Sequence, residues 1–200
     1  MALVVSACGG GSGGAVPADS GSPVASGVDG DSAAAVDSEE MSARLGRLHE
    51  AVTAWSDAAT IGDARSAAEE AVNLVVGPKG PGYGDRDGDG RIEGESDVGL
   101  LSGAGGEPAG LATRVTANEC VVRDVLGATA TDVDAGWAEM ERAISEWRPD
   151  DNTMPSLASH PMRVVGWATF TLESESLDDA HEYAGHARLH VDISQAALNC

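Results

Sequence analysis

Apolar residues recur along most of this chain at spacings of three and four, the period of a helix buried on one face. The first such stripe is Leu45, Leu48, Val52, Trp55 and Ala59. It follows Asp37-Ser38-Glu39-Glu40, an N-cap acceptor with a carboxylate three residues on. Gly62-Asp63 interrupts it, and a second helix with Ala64, Ala67, Ala71, Leu74 and Val75 inward runs to about Val76, where Gly77-Pro78 stops it. A third helix is expected after Pro108, with the stripe Leu111, Val115, Val122 and Val125 and a stop at Gly127. The fourth carries Val133, Trp137, Met140, Ile144 and Trp147 and closes at Pro149. A fifth begins near Ser159-His160-Pro161, where Ser caps and Pro suits the first turn. Its run 164–172 is β-branched and aromatic, so a strand competes there. The last starts at Ser176-Leu177-Asp178-Asp179 and turns Ala180, Ala184, Ala187, Val191 and Leu198 inward. Five or six helices with short connections predict an all-α, antiparallel up-and-down bundle over residues 37–200.

Residues 9–36 lack this period. They are almost entirely Gly, Ser, Ala, Asp, Pro and Val, with no aromatic or basic residue. Such a segment buries too little apolar surface to offset its ordering entropy, which predicts a flexible tether. Before it, Val5-Ser6-Ala7-Cys8 places an apolar and two small residues ahead of a cysteine. This resembles a bacterial lipobox. The resemblance implies cleavage before Cys8, a diacylglyceryl group on its sulfur, and a domain held off a membrane at the extracytoplasmic face of the cell envelope. Residues 1–8 would then be the remnant of a signal peptide, shorter than a working signal because the start is set too late or the chain is trimmed.

Export implies an oxidising compartment. The two remaining cysteines, Cys120 and Cys200, are an even pair, and a disulfide between them is expected.

Composition narrows the partners. The chain has 33 acidic and 12 basic residues among 200, a net charge of −21, and Lys79 is its sole lysine. A surface that binds nucleic acid needs clustered bases to release phosphate counterions, so nucleic acid is excluded as a partner. A polybasic lipid-docking patch is excluded likewise. Acidic chains attract cations instead.

Between helices two and three lies Gly84-Asp85-Arg86-Asp87-Gly88-Asp89-Gly90-Arg91-Ile92-Glu93. Three aspartates at alternate positions can turn their carboxylates toward one point, and Gly90 permits the sharp turn that follows. Calcium takes six to eight hard oxygen ligands in a flexible cage. The run resembles the EF-hand and dockerin-type loop, D-x-D-x-D-G-x-I. The resemblance implies Ca²⁺ held by Asp85, Asp87, Asp89, the Arg91 carbonyl and Glu93, with Ile92 packed inward. The twelfth position departs from the pattern: Ser96 stands where an EF-hand has a bidentate glutamate, leaving Asp97 or Glu95 to close a cage spanning 84–97. Residues 64–101 are also similar to exported bacterial helical domains in which a helix ends in a run like 72–77 and leads into such a loop; that likeness implies no activity.

Glu182, His186 and His190 are spaced by four on the last helix, where they could chelate a transition metal, with Asp178 and Asp192 near enough to support them and His49 a further candidate if it packs beside them. The tryptophans Trp55, Trp137, Trp147 and Trp167 sit at inner helical positions, which makes them core rather than pocket. No GxSxG, HExxH, CxxC or phosphate-binding glycine loop occurs, and no catalytic residue is assigned. The sequence therefore predicts a lipid-anchored, calcium-binding helical module for a small solute or an envelope protein. The competing readings are a transition-metal-handling protein or hydrolytic enzyme using the Glu182/His186/His190 face, and a structural lipoprotein with calcium only.

Overall fold

A computed structural model describes residues 29–148, 154 and 157–200; the expected lipobox at Cys8 and residues 9–28 of the expected tether lie outside them. The principal helices are α1 (Asp29–Ser56), α2 (Ile61–Val76), α3 (Val133–Glu146), α4 (His160–Glu173) and α5 (Leu177–Ala196). Among the described residues there is no strand.

Helix α1 begins at Asp29, upstream of the capping box expected at Asp37, so residues 29–36 are helix rather than tether. Met41, Leu45, Leu48, Val52 and Trp55 are its buried stripe. The stripe ends on Ala58, while Ala59 is exposed, because the helix has already stopped at Ser56. Helix α2 starts on Thr60, whose Oγ1 accepts from Asp63 N at 3.1 Å. Its buried alanines Ala64, Ala68 and Ala71 let the neighbouring helices approach closely.

Four helices form a ring in which α1 packs on α2 and α5, and α4 packs on the same two; α3 lies against α4. Side-chain bonds fix their directions. Arg44 of α1 donates to Leu74 O near the end of α2, and Arg65 near the start of α2 donates to Ser174 O just past α4. Gln195 near the end of α5 donates to Leu45 O of α1, and His181 near its start meets Ala58 O just past α1. Each neighbour therefore runs antiparallel to the next, which is the up-and-down bundle expected.

Run 164–172 is helix, not strand. Val164, Val165, Trp167, Ala168, Phe170 and Thr171 are all buried, since α4 is covered by α2, α5 and α3. A helix surrounded on most sides is apolar nearly all round, and that erases the one-sided period of a surface helix.

The third expected helix does not form as one piece. The chain makes a 3₁₀ turn at Leu111–Arg114, a π-helical turn at Val121–Leu126 and a second 3₁₀ turn at Gly127–Ala130. Leu111 N and Ala112 N bond to Gly99 O and Leu100 O, at 3.1 and 3.0 Å, so this stretch is tied to another segment at its start. Asn118 then restarts the helix: its Oδ1 accepts from Cys120 N and Val121 N, at 2.9 and 3.2 Å. Its Nδ2 donates to Ala197 O at 3.0 Å. Cys120 and Cys200 form the expected disulfide beside this turn, with Cα atoms 6.2 Å apart.

The long α2–α3 connection is pinned on α2. Leu100 N and Leu101 N donate to Leu74 O and Val75 O, and a Cβ at Gly99 would stand 2.6 Å from the carbonyl carbon of Val76. Only glycine allows that crossing. It fixes both ends of the acidic loop on one helix.

Candidate metal centre

The acidic loop is organised from below by two side chains of α2. Glu69 and Asn73 lie four residues apart, hence on one face, and neither has any exposed surface. The Glu69 carboxylate accepts three backbone N–H bonds from the loop: Oε2 from Arg86 at 2.5 Å and Asp87 at 3.1 Å, and Oε1 from Glu93 at 3.0 Å. Asn73 Oδ1 accepts from Gly84 N at 2.9 Å, and its Nδ2 donates to Gly84 O and Glu93 O at 3.2 and 2.7 Å. A buried carboxylate is tolerated where hydrogen bonds replace its water. Here those bonds set the curvature of the loop.

The aspartates tighten it from within. Asp85 accepts from Gly88 N at 2.8 Å and Gly90 N at 2.9 Å, Asp87 from Asp89 N at 2.9 Å, and Asp89 from Arg91 N at 2.8 Å. Gly90 has φ +90°, a conformation that L side chains avoid. Oxygens of Glu69, Asp85 and Asp87 all lie within 4.8 Å of one another. Among the described residues these three are the one cluster of three or more metal-ligating groups.

Of the ligands expected from sequence, Asp85 and Asp87 are thus brought together, and Asp89, Glu93 and Asp97 stay outside the trio. Asp89 Oδ2 lies 3.2 Å from the exposed Arg91 guanidinium. Glu93 stands at the margin, with its Oε2 buried and without a hydrogen-bond partner. Burial foremost, then the neighbouring Asp89, Glu69 and Asp87 charges, pushes its carboxyl above the usual range. Glu95 and Asp97 are exposed, and Ser96 Oγ turns to Val98 O at 3.0 Å. Ile92 is 43 % exposed rather than packed inward. The long α2–α3 connection offers it no second loop to pack against.

The third carboxylate of the cluster belongs to the helix before the loop and not to the residues after it. Its signal was a glutamate and an asparagine, Glu69 and Asn73, set among the inward alanines and valines of α2. The donor set is all hard oxygen, which suits calcium or magnesium and disfavours copper or zinc.

The histidines of α5 do not join Glu182 in a cluster. His190 is buried, and its Nδ1 lies 3.0 Å from Nδ1 of His160 on α4. His186 stacks on Trp167 with ring centroids 4.4 Å apart and reaches the exposed Glu182 only at 4.0 Å. His49 faces Asp192 at 3.6 Å, and Asp178 is exposed. Burial, with Arg163, His160 and His186 close by, pulls His190 down to about 3. His160 is lowered as well, again chiefly by burial. The tryptophans belong to the core: Trp147, Trp167, Phe170 and Tyr183 form one aromatic cluster, and Trp137 Nε1 donates to Ser102 O at 3.0 Å.

No family model matches the chain, and no curated protein or solved structure is significantly similar to it.

Proposed function

We propose that this chain is a calcium-organised helical module, held at the extracytoplasmic face of the cell envelope by a lipid on Cys8, which binds a small solute or an envelope partner. The observation that carries the calcium reading is the meeting of Glu69 with Asp85 and Asp87. Three carboxylates crowded together repel one another unless a cation sits among them. The DxDxDG spacing curls the backbone as a calcium loop requires, and Glu69 supplies from α2 the acid missing at Ser96. The ion is structural. There is one loop, it is clamped on fully buried side chains of α2, and extracellular sites of this kind work at weak affinity. The Cys120–Cys200 disulfide supports an oxidising compartment. The Glu182/His186/His190 face carries the competing transition-metal or hydrolytic reading less well, since His186 and Glu182 meet only at 4.0 Å and His190 pairs with His160 instead.

Thermal melting of the full chain with calcium and with chelator tests this. Calcium at a hundredfold excess over its Kd adds about 2.7 kcal/mol, worth about 5–11 °C in Tm for a chain of this size. Asp87→Ala abolishes that rise. Equal melting temperatures in calcium and chelator would overturn the reading.

A further inference from the structure

Arg86 lies between two acidic loop residues in the chain, yet its side chain leaves the acidic centre. The backbone N–H stays on Glu69, while the guanidinium runs to α4, where Nη1 donates to Thr169 Oγ1 at 3.3 Å. That hydroxyl itself donates to Val165 O at 2.9 Å, so it is free to accept. The guanidinium is half-buried, and among the described residues no carboxylate oxygen lies within 4.0 Å of it. Other arginines here are better served. Arg44 donates to two carbonyls, and Arg114 and Arg142 pair with glutamates at 3.0 Å. Glu173 and Glu69 act on Arg86 only from beyond ion-pair distance, so with five N–H donors and one long hydrogen bond it has no carboxylate paired directly with it, in a chain that has acids in excess.

The guanidinium lines a cleft of about 250 Å³ between the loop, α3 and α4. Pro81, Met140, Ile144 and Val165 give its other walls, and the exposed Glu141 and Ser145 stand at the α3 side. An apolar cleft with a single placed cation is the form of a small-ligand site. Guanidinium binds carboxylate through two parallel N–H···O bonds. Glu141 disfavours a ligand of several negative charges, such as a phosphate ester.

From this geometry we infer that the cleft binds a small carboxylate with an apolar body, the carboxylate on Arg86 and the body against Met140, Ile144 and Val165. The inference rests on the calcium reading in one respect: the ion orders the loop that holds Arg86, so ligand binding and ion binding reinforce each other. The ligand is thereby a simple fatty carboxylate or an amino acid, the latter placing its ammonium group toward Glu141.

Isothermal titration of the full chain with hexanoate, norleucine and hexanamide tests it, in calcium and in chelator. At least one acid binds tenfold or more tightly than the amide, and Arg86→Gln removes the difference. Tighter norleucine assigns an amino acid, and tighter hexanoate a fatty carboxylate. Ser145→Trp narrows the cleft from α3 without touching the loop and weakens binding too, which covers the case of a misfolded Arg86 variant. Acid binding no stronger than amide binding, or unchanged in a folded Arg86→Gln protein, overturns the site. Arg86-dependent binding in a protein that takes up no calcium keeps the site and removes the ion from its account. Calcium uptake without acid binding does the reverse.

Discussion

Glu69 offers acceptors to three backbone N–H groups, so Glu69→Gln places an NH₂ donor or a weaker acceptor against each of them. The metal-free protein should lose about 1–3 kcal/mol, read as a lower denaturant midpoint. Calcium affinity should fall at least tenfold in competition with a fluorescent chelator. An unchanged affinity would mean that Glu69 shapes the loop without holding the ion. The histidines make a separate prediction. His190 and His160 both bind protons less readily in the fold than in the unfolded chain. Between about pH 6.5 and pH 3 the unfolded state therefore binds more protons, and stability falls as pH is lowered through that window. Each fully linked proton contributes about 1.4 kcal/mol per pH unit. His190→Asn should flatten this slope in urea unfolding followed over the same range, and an unaltered slope would assign it to His160 and the carboxylates instead. The loop aspartates were legible in the sequence because their spacing is local. Glu69 was not, because its partners lie seventeen to twenty-four residues away and only the fold brings them together.

At the scale of elements, α2, α3 and α5 follow from periodicity and their flanking residues, with the Ser176 hydroxyl accepting from Asp179 N at 3.2 Å, while α1 follows from periodicity alone, since it begins at Asp29 and not at the capping box of Asp37. Of the other two segments, one is ambiguous in sequence and one is misread, for different reasons. Helix α4 reads ambiguously because burial on several sides removes amphipathic contrast, and the stretch after Pro108 reads as helix because its apolar spacing arises from separate turns. Tertiary bonds decide both cases. In the second, Asn118 is the hinge residue: it caps the π-helical turn and holds the chain end at Ala197. Asn118→Ala should cost about 1–2 kcal/mol, seen as a lower midpoint with unchanged m. A loss below about 0.3 kcal/mol would show the turn to be held by Val121, Val125 and Leu126 packing instead.

Across the whole molecule, a net charge of −21 works against compaction through self-repulsion. Two cross-connections oppose it. One is the Cys120–Cys200 bridge over 80 residues, whose reduction should destabilise by about 3–5 kcal/mol on the chain-entropy account, measurable as a fall in Tm with reductant. The other is the loop that α2 grips at both ends, which joins the Arg86 cleft to the acidic centre. The most direct test of the account is calorimetric titration of the chelator-treated full chain with calcium, beside Glu69→Gln and Asp87→Ala. One site per chain is expected in the parent protein, weakened at least tenfold in Glu69→Gln and lost in Asp87→Ala. A stoichiometry of zero, or one site that survives loss of both Glu69 and Asp87, would contradict it.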